Sequence, residues 1–419
     1  MFSFLTGDGS HAEPTRRRLG TYATVAALTV ALGSAAACSP VDSAERQGGQ
    51  ATHSASPIPK PTVDVRGKES KLSYRSPIKI TAEHGAINSV TVTSENDTKL
   101  AGSTSDDGSS WTSKRRPLPR TSYQAKVTVR DTADKTYTKN LDLHVRTVPV
   151  ENRLTFNVTP NSGTRVGVGQ PVVVQFTTPV THRRRVEKAM HVNADTPSGK
   201  PVKGSWHWLS DQVVHWRPKH FWHPGTKVKL HMATAGVRAS DDRWGRKDYT
   251  QKFTIGSSSV LRVNARTHMM RVYRDGKHVA TWPTGTGMRE YPTRNGTYIV
   301  LNKSSKYHMT SCSAGIACKK SDPKFYSTTV HYAVRVTTSG TFVHAAPWDN
   351  LMGQANTSHG CIHLSTTHAH RYYRHAKPGD VVIVKGSNQG PQERVAVGDP
   401  GLVDWNIPWS QWKAGSALK

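Results

Sequence analysis

The stretch Gly340–Ser365, GTFVHAAPWDNLMGQANTSHGCIHLS, decides which fold and which chemistry to expect of this chain. His359, Cys361 and His363 alternate near its end, and His344 lies 17 residues before Cys361. Alternating His and Cys residues are typical of a zinc site, since both are preferred zinc ligands. A cysteine with imidazoles nearby is equally typical of nucleophilic catalysis.

The metal hypothesis depends on whether the three side chains can converge. In an extended strand each residue adds about 3.3 Å, so the Cα atoms of His359 and His363 would be roughly 13 Å apart. Zinc needs its ligands at about 2.0–2.3 Å. A straight segment therefore cannot supply all three ligands, although His359 and Cys361 with a distant third ligand such as His344 remain an alternative.

The nucleophile hypothesis depends on Cys361 and His344. The thiolate is the reactive form of cysteine, and a nearby imidazole lowers the thiol pKa or accepts its proton. Gly360 permits a tight bend whose backbone N–H groups can stabilise an oxyanion. The spacing from His344 to Cys361 is long enough for the chain to return to the same site.

The chain has four cysteines, and their positions favour one free thiol. Cys312 and Cys318 flank a glycine-containing loop, CSAGIAC, and we expect them to form a local disulfide in an oxidising compartment. Cys38 belongs to the N-terminal signal described next. Cys361 is left unpaired, which makes it a candidate reactive thiol, with a buried inert thiol as the alternative.

The N-terminus predicts export. Arg16–Arg18 precede an apolar stretch that ends in Ala35–Ala37, the pattern of a secretory signal peptide over residues 1–37. Cleavage there would make Cys38 the first residue, as in the lipobox of bacterial lipoproteins, although Ala35 replaces the usual Leu. We expect a protein lipidated at Cys38 on the outer face of the cytoplasmic membrane, with plain secretion as the alternative and the export route left open.

The net charge of +28 is compatible with this location. Its Lys and Arg residues are spread along the chain, and no recognition helix or zinc finger is present in the sequence, so nucleic acid is not an expected partner. A polyanionic envelope suits a basic exported protein better.

Beyond the signal, the pattern predicts a mainly β protein. Short alternating runs separated by turn-rich stretches favour two tandem β-sandwiches, and hairpin signals with one short helix favour a third, β-rich domain. The tryptophans of the tail, Trp405, Trp409 and Trp412, are expected to pack on that third domain. The predicted boundaries are 1–37 signal, 38–58 tether, 59–147 and 148–257 sandwiches, 258–385 third domain and 386–419 C-terminal subdomain.

The opening stretch resembles the signature of the L,D-transpeptidase catalytic domain, in which a histidine is followed after a gap by Ser-His-Gly-Cys. The resemblance extends to the hairpin Trp282–Val300 and the closing strand Gly379–Val384. Trp206–Thr226 and Asp404–Trp412 resemble the actinobacterial multidomain members, whose N-terminal domains are immunoglobulin-like. About residues 60–415 are covered.

This resemblance implies a cysteine enzyme that acts on peptidoglycan tetrapeptide stems. Its thiol attacks the carbonyl of the third residue, the terminal D-Ala leaves, and the side-chain amine of a second stem resolves the thioester into a 3→3 cross-link. Water in place of the amine gives L,D-carboxypeptidase activity. The family uses no metal or organic cofactor, carbapenems acylate the same thiol, and we expect a monomer.

The family's site residues carry over position by position. Cys361 matches the nucleophile, His344 the general base, and the N–H groups of Gly360 and Cys361 the oxyanion hole. Ser358 and His359 match residues that shape the pocket. Two further pocket residues are implied upstream, namely Tyr326 in a lid and Met309.

Two positions depart from the family pattern. His363 stands where the family usually has Arg or Asn, at a substrate-binding position, and its charge depends on pH near neutrality. Ala345 stands where Ser is common, which is tolerable if the contact there uses the main-chain carbonyl. A non-catalytic wall-binding lipoprotein and a zinc hydrolase remain the alternatives from other classes.

Overall fold

A computed structural model describes residues 58–389 and 404–419. The predicted signal peptide, Cys38 and nearly all of the tether lie outside these residues. The mainly β prediction is confirmed, whereas the domain boundaries stay predictions. In the described residues no helix is long and apolar enough to cross a membrane.

The first part of the described chain is a β-sandwich. One sheet has four strands in the order β1-β2-β5-β4, and the other has three in the order β3-β6-β7. Ile80, Val127 and Leu143 are buried between them because inward and outward side chains alternate along each strand. The strands are β1 Thr62–Val65, β2 Lys79–Glu83, β3 Ala86–Ser94, β4 Gly102–Thr104, β5 Ser110–Ser113, β6 Ser122–Arg130 and β7 Thr136–His144.

A second sandwich follows, with two four-stranded sheets in the orders β12-β13-β10-β8 and β11-β14-β15-β9. Trp206 and Trp208 lie in its core, at 6% and 8% exposure. Its elements are β8 Phe156–Thr159, β9 Arg165–Val166, β10 Val172–Phe176, α1 Arg183–Lys188, β11 Met190–Asp195, β12 Gly204–Trp208, β13 Val213–Pro218, β14 Lys227–Met232 and β15 Tyr249–Ile255.

The third part packs a five-stranded sheet, β18-β17-β16-β24-β19, against a four-stranded sheet, β20-β21-β22-β23. Their shared core includes Leu261, Val343 and Ile362. The elements are β16 Ser259–Asn264, β17 Met269–Arg274, β18 Lys277–Pro283, β19 Gly296–Ile299, β20 Asn302–Thr310, β21 Ser327–Arg335, β22 Phe342–Ala345, β23 Ile362–Leu364, α2 Thr366–His375, β24 Val381–Lys385 and, in the tail, α3 Trp409–Ala414.

Local sequence explains two of these elements. Asp275 and Gly276 both have positive φ and form the tight turn between β17 and β18, as the Asp-Gly hairpin signal predicts. The Ser365 side chain accepts a hydrogen bond from the His368 N–H and caps α2. The helix ends at His375, before Pro378, a residue that cannot continue a helix.

The second sandwich joins the third part through backbone hydrogen bonds. The Gly167 N–H donates to Pro378 O at 2.7 Å, and the Gly169 N–H donates to Gly379 O at 2.8 Å. A Cβ on Gly167 would lie 2.2 Å from the Asp380 nitrogen, so no side chain fits there. The core of the second sandwich continues into Val381 of β24.

The prediction for the tail tryptophans is wrong in its partner. Trp405, Trp409 and Trp412 surround the Arg217 guanidinium of the second sandwich, with 4.8, 5.2 and 4.6 Å from Cζ to the ring centroids. Arg217 on β13 is buried and presents its cation to the faces of these aromatic rings. The sequence pattern of the tail does not identify Arg217 as their partner. Asn406 also reaches the third part, through hydrogen bonds with the backbone of Thr297.

Candidate active site

His344 and Cys361 lie on neighbouring strands. β22 pairs with β23 in parallel, with His344 in register with His363, and Cys361 directly precedes β23. Parallel neighbours need a crossover connection, which residues 346–361 provide. The end of that connection, at Cys361, therefore returns to the same edge of the sheet as His344.

Both residues line one cavity of about 620 Å³. The cavity also receives most of the other residues that the sequence predicts for the site. These are Met309, Tyr326, Ser358, His359 and His363.

His344 is a buried, neutral imidazole. Its Nδ1 lies 2.9 Å from Ala345 O, so Nδ1 carries the proton and Nε2 is left as the acceptor. Burial, and next the His363 ring, lower the pKa of His344 to about 3. Because this contact uses the main-chain carbonyl, the change from Ser to Ala at position 345 does not remove it.

Cys361 is a free thiol in a partly buried position. Its Sγ lies 3.8 Å from Gly340 O, and no hydrogen bond joins it to the His344 ring among the described residues. Burial raises the pKa of the thiol to about 11, against the weaker opposing effects of the Phe342 N–H and Arg335. In the resting protein Cys361 is therefore a thiol and His344 is a neutral imidazole.

Gly360 holds the bend before Cys361 in a conformation with φ of +109°, which favours glycine. Its N–H donates to Ser358 Oγ at 3.1 Å, so this predicted oxyanion donor is already occupied. Ser358 Oγ in turn donates to Cys361 O at 2.6 Å. The Cys361 N–H has no protein acceptor in the part of the chain that the structure describes, which leaves it available.

A lid of residues 311–326 joins β20 to β21 over the cavity. Cys312 and Cys318 form a disulfide within it. The fully buried Ser311 bonds the Tyr326 backbone in both directions, at 3.0 Å from the Tyr326 N–H and 3.2 Å to Tyr326 O. Burial, and next Cys361, raise the pKa of Tyr326.

His359 forms one wall with aromatic neighbours. Its ring centroid lies 4.9 Å from that of Tyr291 and 5.1 Å from that of Tyr326. In the described ranges no group of three or more His, Cys, Asp or Glu residues is arranged to hold a metal ion. The alternation of His359, Cys361 and His363 therefore does not translate into a shared coordination point.

Asp349 is the site residue that sequence reasoning missed. It lies between β22 and β23, and its Oδ2 accepts hydrogen bonds from His363 Nδ1 at 2.7 Å and from Thr357 Oγ1 at 2.8 Å. Burial opposes the charge, but the hydrogen bonds from His363 and Thr357 outweigh it and lower the pKa of Asp349. The signal was an acidic residue in the segment between His344 and Cys361, with nothing in the sequence to pair it with His363.

Two family models match parts of this chain. The model of the L,D-transpeptidase catalytic domain matches residues 258–384, and that of a bacterial Ig domain matches residues 69–238. L,D-transpeptidase 2 of Mycobacterium tuberculosis is 34% identical over 364 residues, which cover 86% of this chain and 85% of that protein.

Other relatives match a smaller share of this chain. L,D-transpeptidase 1 of the same organism is 37% identical over 231 residues, covering 55% of this chain and 84% of that protein. A solved structure of the L,D-transpeptidase LdtMt1 in complex with imipenem is 35% identical, covers 57% of this chain and 100% of its own, and has a TM-score of 0.48.

Proposed function

The chain belongs to the L,D-transpeptidase family, and from this we propose that it forms 3→3 cross-links between peptidoglycan tetrapeptide stems through a cysteine acyl-enzyme. One observation carries the proposal: the only thiol among the described residues outside the disulfide lines the same cavity as an imidazole whose tautomer leaves Nε2 as a base.

The acylation step uses Cys361 and His344. Cys361 Sγ attacks the carbonyl carbon of the third stem residue while its proton moves to His344 Nε2. The Cys361 N–H stabilises the oxyanion, and the Gly360 N–H joins it only if it releases Ser358 Oγ. Collapse of the tetrahedral intermediate breaks the peptide bond, and the D-Ala amine leaves with the proton from His344.

The second step resolves the thioester. The side-chain amine of the diaminopimelate residue in another stem attacks it, the C–S bond breaks, and the thiol is regenerated. Water as acceptor gives an L,D-carboxypeptidase. The Tyr326 and Met309 side chains, with Ser358 and His359, would bind the donor stem, because all of them line the cavity around Cys361.

Incubation with disaccharide-tetrapeptides tests the reaction. We expect a cross-linked dimer one D-Ala lighter than two substrates, together with a tripeptide product if water competes. Cys361→Ala should abolish both products. The absence of any product from folded wild-type protein, or equal product from Cys361→Ala, would remove the proposal.

Carbapenem labelling provides an independent test of the nucleophile. We propose that imipenem acylates Cys361, since the thiol lines an open cavity beside a base. Intact-mass analysis should show one adduct, and peptide mapping should place it on Cys361. An adduct elsewhere, or none, would contradict the assignment.

We also propose that the protein is exported and lipidated at Cys38, which would place the cavity on the outer side of the cytoplasmic membrane. The signal pattern of residues 1–38 supports this location. Metabolic labelling with a fatty-acid probe should label the wild-type chain and leave Cys38→Ala unlabelled. Equal labelling of both would contradict lipidation at this residue.

A further inference from the structure

A second imidazole lies at the cavity, and it is oriented by a carboxylate. His363 Nδ1 lies 2.7 Å from Asp349 Oδ2, and the two side chains are only 8% and 2% exposed. Thr357 Oγ1 and the Leu351 N–H also donate to Asp349, so the carboxylate is fixed from three directions. Burial disfavours the charged form of the carboxylate, but this many hydrogen-bond donors outweigh it and keep Asp349 charged.

The geometry leaves the other nitrogen of His363 available. With Nδ1–H donating to Asp349, the neutral ring presents Nε2 as an acceptor. Nε2 has no protein partner in residues 58–389 and 404–419, and the side chain lines the cavity that holds Cys361. The His363 ring lies 5.0 Å from the His344 ring, centroid to centroid, at an interplanar angle of 67°.

The second half of the proposed reaction needs two proton acceptors. A primary amine such as the acceptor's has a pKa near 10.4, so it arrives as an ammonium ion at pH 7. Its nitrogen loses two protons on the way to an amide. The departing Cys361 thiolate takes only one of them, through His344, which leaves one proton without a destination.

We propose that His363, oriented by Asp349, is a second general base that takes the first proton from the acceptor ammonium. This inference rests on the proposed function and deepens it. His363 Nε2 accepts one proton, and the free amine attacks the thioester carbon and forms the C–N bond. The C–S bond then breaks, the second proton passes through His344 to Cys361, and His363 releases its own proton to solvent.

The surrounding charges are compatible with this role. The groups that interact with His363 are Asp349, His344 and His359, and the same cavity is also lined by Cys361, Arg335, Tyr307 and Tyr326. Burial lowers the pKa of His363, while the hydrogen bond and charge of Asp349 oppose that effect. His363 is therefore a neutral base at pH 7, and Asp349 is a positioning residue that fixes its tautomer.

Two acceptors distinguish the role of His363 from a structural one. The measurement is kcat/KM for the acceptor at fixed tetrapeptide donor. The acceptor is either a tripeptide stem, which carries the amine but has no terminal D-Ala to lose, or hydroxylamine, which is uncharged at pH 7. We expect His363→Asn to lower the value for the amine about a hundredfold, within the usual range for a general base. For hydroxylamine the loss in kcat/KM should be smaller by a factor of about ten or more, because that acceptor needs no prior deprotonation.

The pH profile and a matched variant complete the test. The difference in kcat/KM for the amine between wild type and His363→Asn should narrow as pH rises toward the pKa of the amine. Asp349→Asn should also lose more activity with the amine than with hydroxylamine. His182→Asn removes another imidazole paired with an aspartate, His182 Nε2 to Asp241 at 3.5 Å and outside this cavity, and should change neither acceptor.

Two results would overturn the inference. Equal losses for both acceptors at every pH would make His363 structural, and no loss for either would make it irrelevant to the acceptor step. Failure of the proposed function is separate, since wild-type protein would then form no acyl-enzyme with either the tetrapeptide or imipenem.

Discussion

The two proposed catalytic groups differ from a pre-formed ion pair. Burial raises the pKa of Cys361 to about 11 and is the largest cause lowering that of His344 to about 3, so both are neutral over the whole physiological range. A thiolate–imidazolium pair at rest is therefore disfavoured. Proton transfer must accompany the attack on the carbonyl, when the developing oxyanion changes the local field.

We predict slow, pH-dependent alkylation of resting Cys361 as a result. Below the thiol pKa the thiolate fraction rises tenfold per pH unit, so iodoacetamide labelling should increase about tenfold per unit from pH 7 to 10. Peptide mapping measures it, and urea-unfolded protein, whose thiol titrates near 8.5, is the control. Fast labelling that is constant from pH 6 to 8 would indicate an ion pair instead.

A second prediction at this scale concerns the acid limb of acylation. His344 stays unprotonated as pH falls from 7 to 5, because its base form is lost only near its pKa of about 3. The imipenem acylation rate should therefore not fall with a midpoint near 6.5, the ordinary histidine value. Stopped-flow acylation across this range checks it, and a midpoint near 6.5 would show that His344 is solvated during catalysis.

Reasoning from the residues alone could pair only groups that are close in sequence, whereas the family resemblance supplied Tyr326 and Met309. His344 and Cys361 could be paired because a short crossover joins them. The Ser358 contact to the Gly360 N–H and the Asp349 contact to His363 depend on how that crossover folds back. An aspartate in a polar segment has no pattern of its own, so the second dyad became visible only in three dimensions.

At the scale of elements, the lid is held by two separate devices. The Cys312–Cys318 disulfide closes a loop of six residues' separation, and Ser311 ties the lid backbone to Tyr326. Ser313 and Ala314 in this loop line the cavity, so its conformation shapes the wall above Cys361. Loss of one device should loosen the lid without releasing it.

We predict that Cys312→Ser with Cys318→Ser raises KM for the donor stem several-fold and lowers kcat less. Removing a short cross-link loosens the loop by roughly 2 kcal/mol of chain entropy, while the Ser311 bonds remain. Hydrogen exchange should increase over residues 311–326 and stay unchanged in α2. Unaltered kinetics would show that the disulfide has no part in substrate binding.

Elements with local signals were predictable, and those held by distant contacts were not. The Asp275–Gly276 turn and the Ser365 cap depend on neighbouring residues alone. The tail tryptophans are apolar at a helical spacing, which predicts burial but not the partner. Arg217, far away in sequence, decided that partner.

At the scale of the whole molecule, the tail binds to the second sandwich through buried polar contacts. Asp404 is buried against His215, with 2.9 Å between Oδ1 and Nδ1 and exposures of 1% and 2%. Arg217 donates to Ile407 O at 2.8 Å, and burial lowers its pKa to about 10. The same tail bonds the Thr297 backbone of β19 through Asn406, so it spans both parts.

We predict that Asp404→Ala destabilises the protein by about 3–5 kcal/mol, because it removes the only carboxylate paired with His215 among the described residues. Urea unfolding followed by tryptophan fluorescence measures it. Asp211→Ala, an exposed acid in the same sandwich, is the matched control and should change stability by less than about 0.5 kcal/mol. If Asp404→Ala lowered the free energy of unfolding as little as the control does, the contact between Asp404 and His215 would not stabilise the protein.

The backbone contacts of Gly167 and Gly169 also bear on what can be inherited as a unit. A catalytic segment cut at residue 258 would leave Val381 and Ile383 without the second-sandwich core that covers them. Recombination there would expose apolar surface and unpair the carbonyls of Pro378 and Gly379. Descent should therefore preserve the second sandwich, the catalytic segment and the tail together.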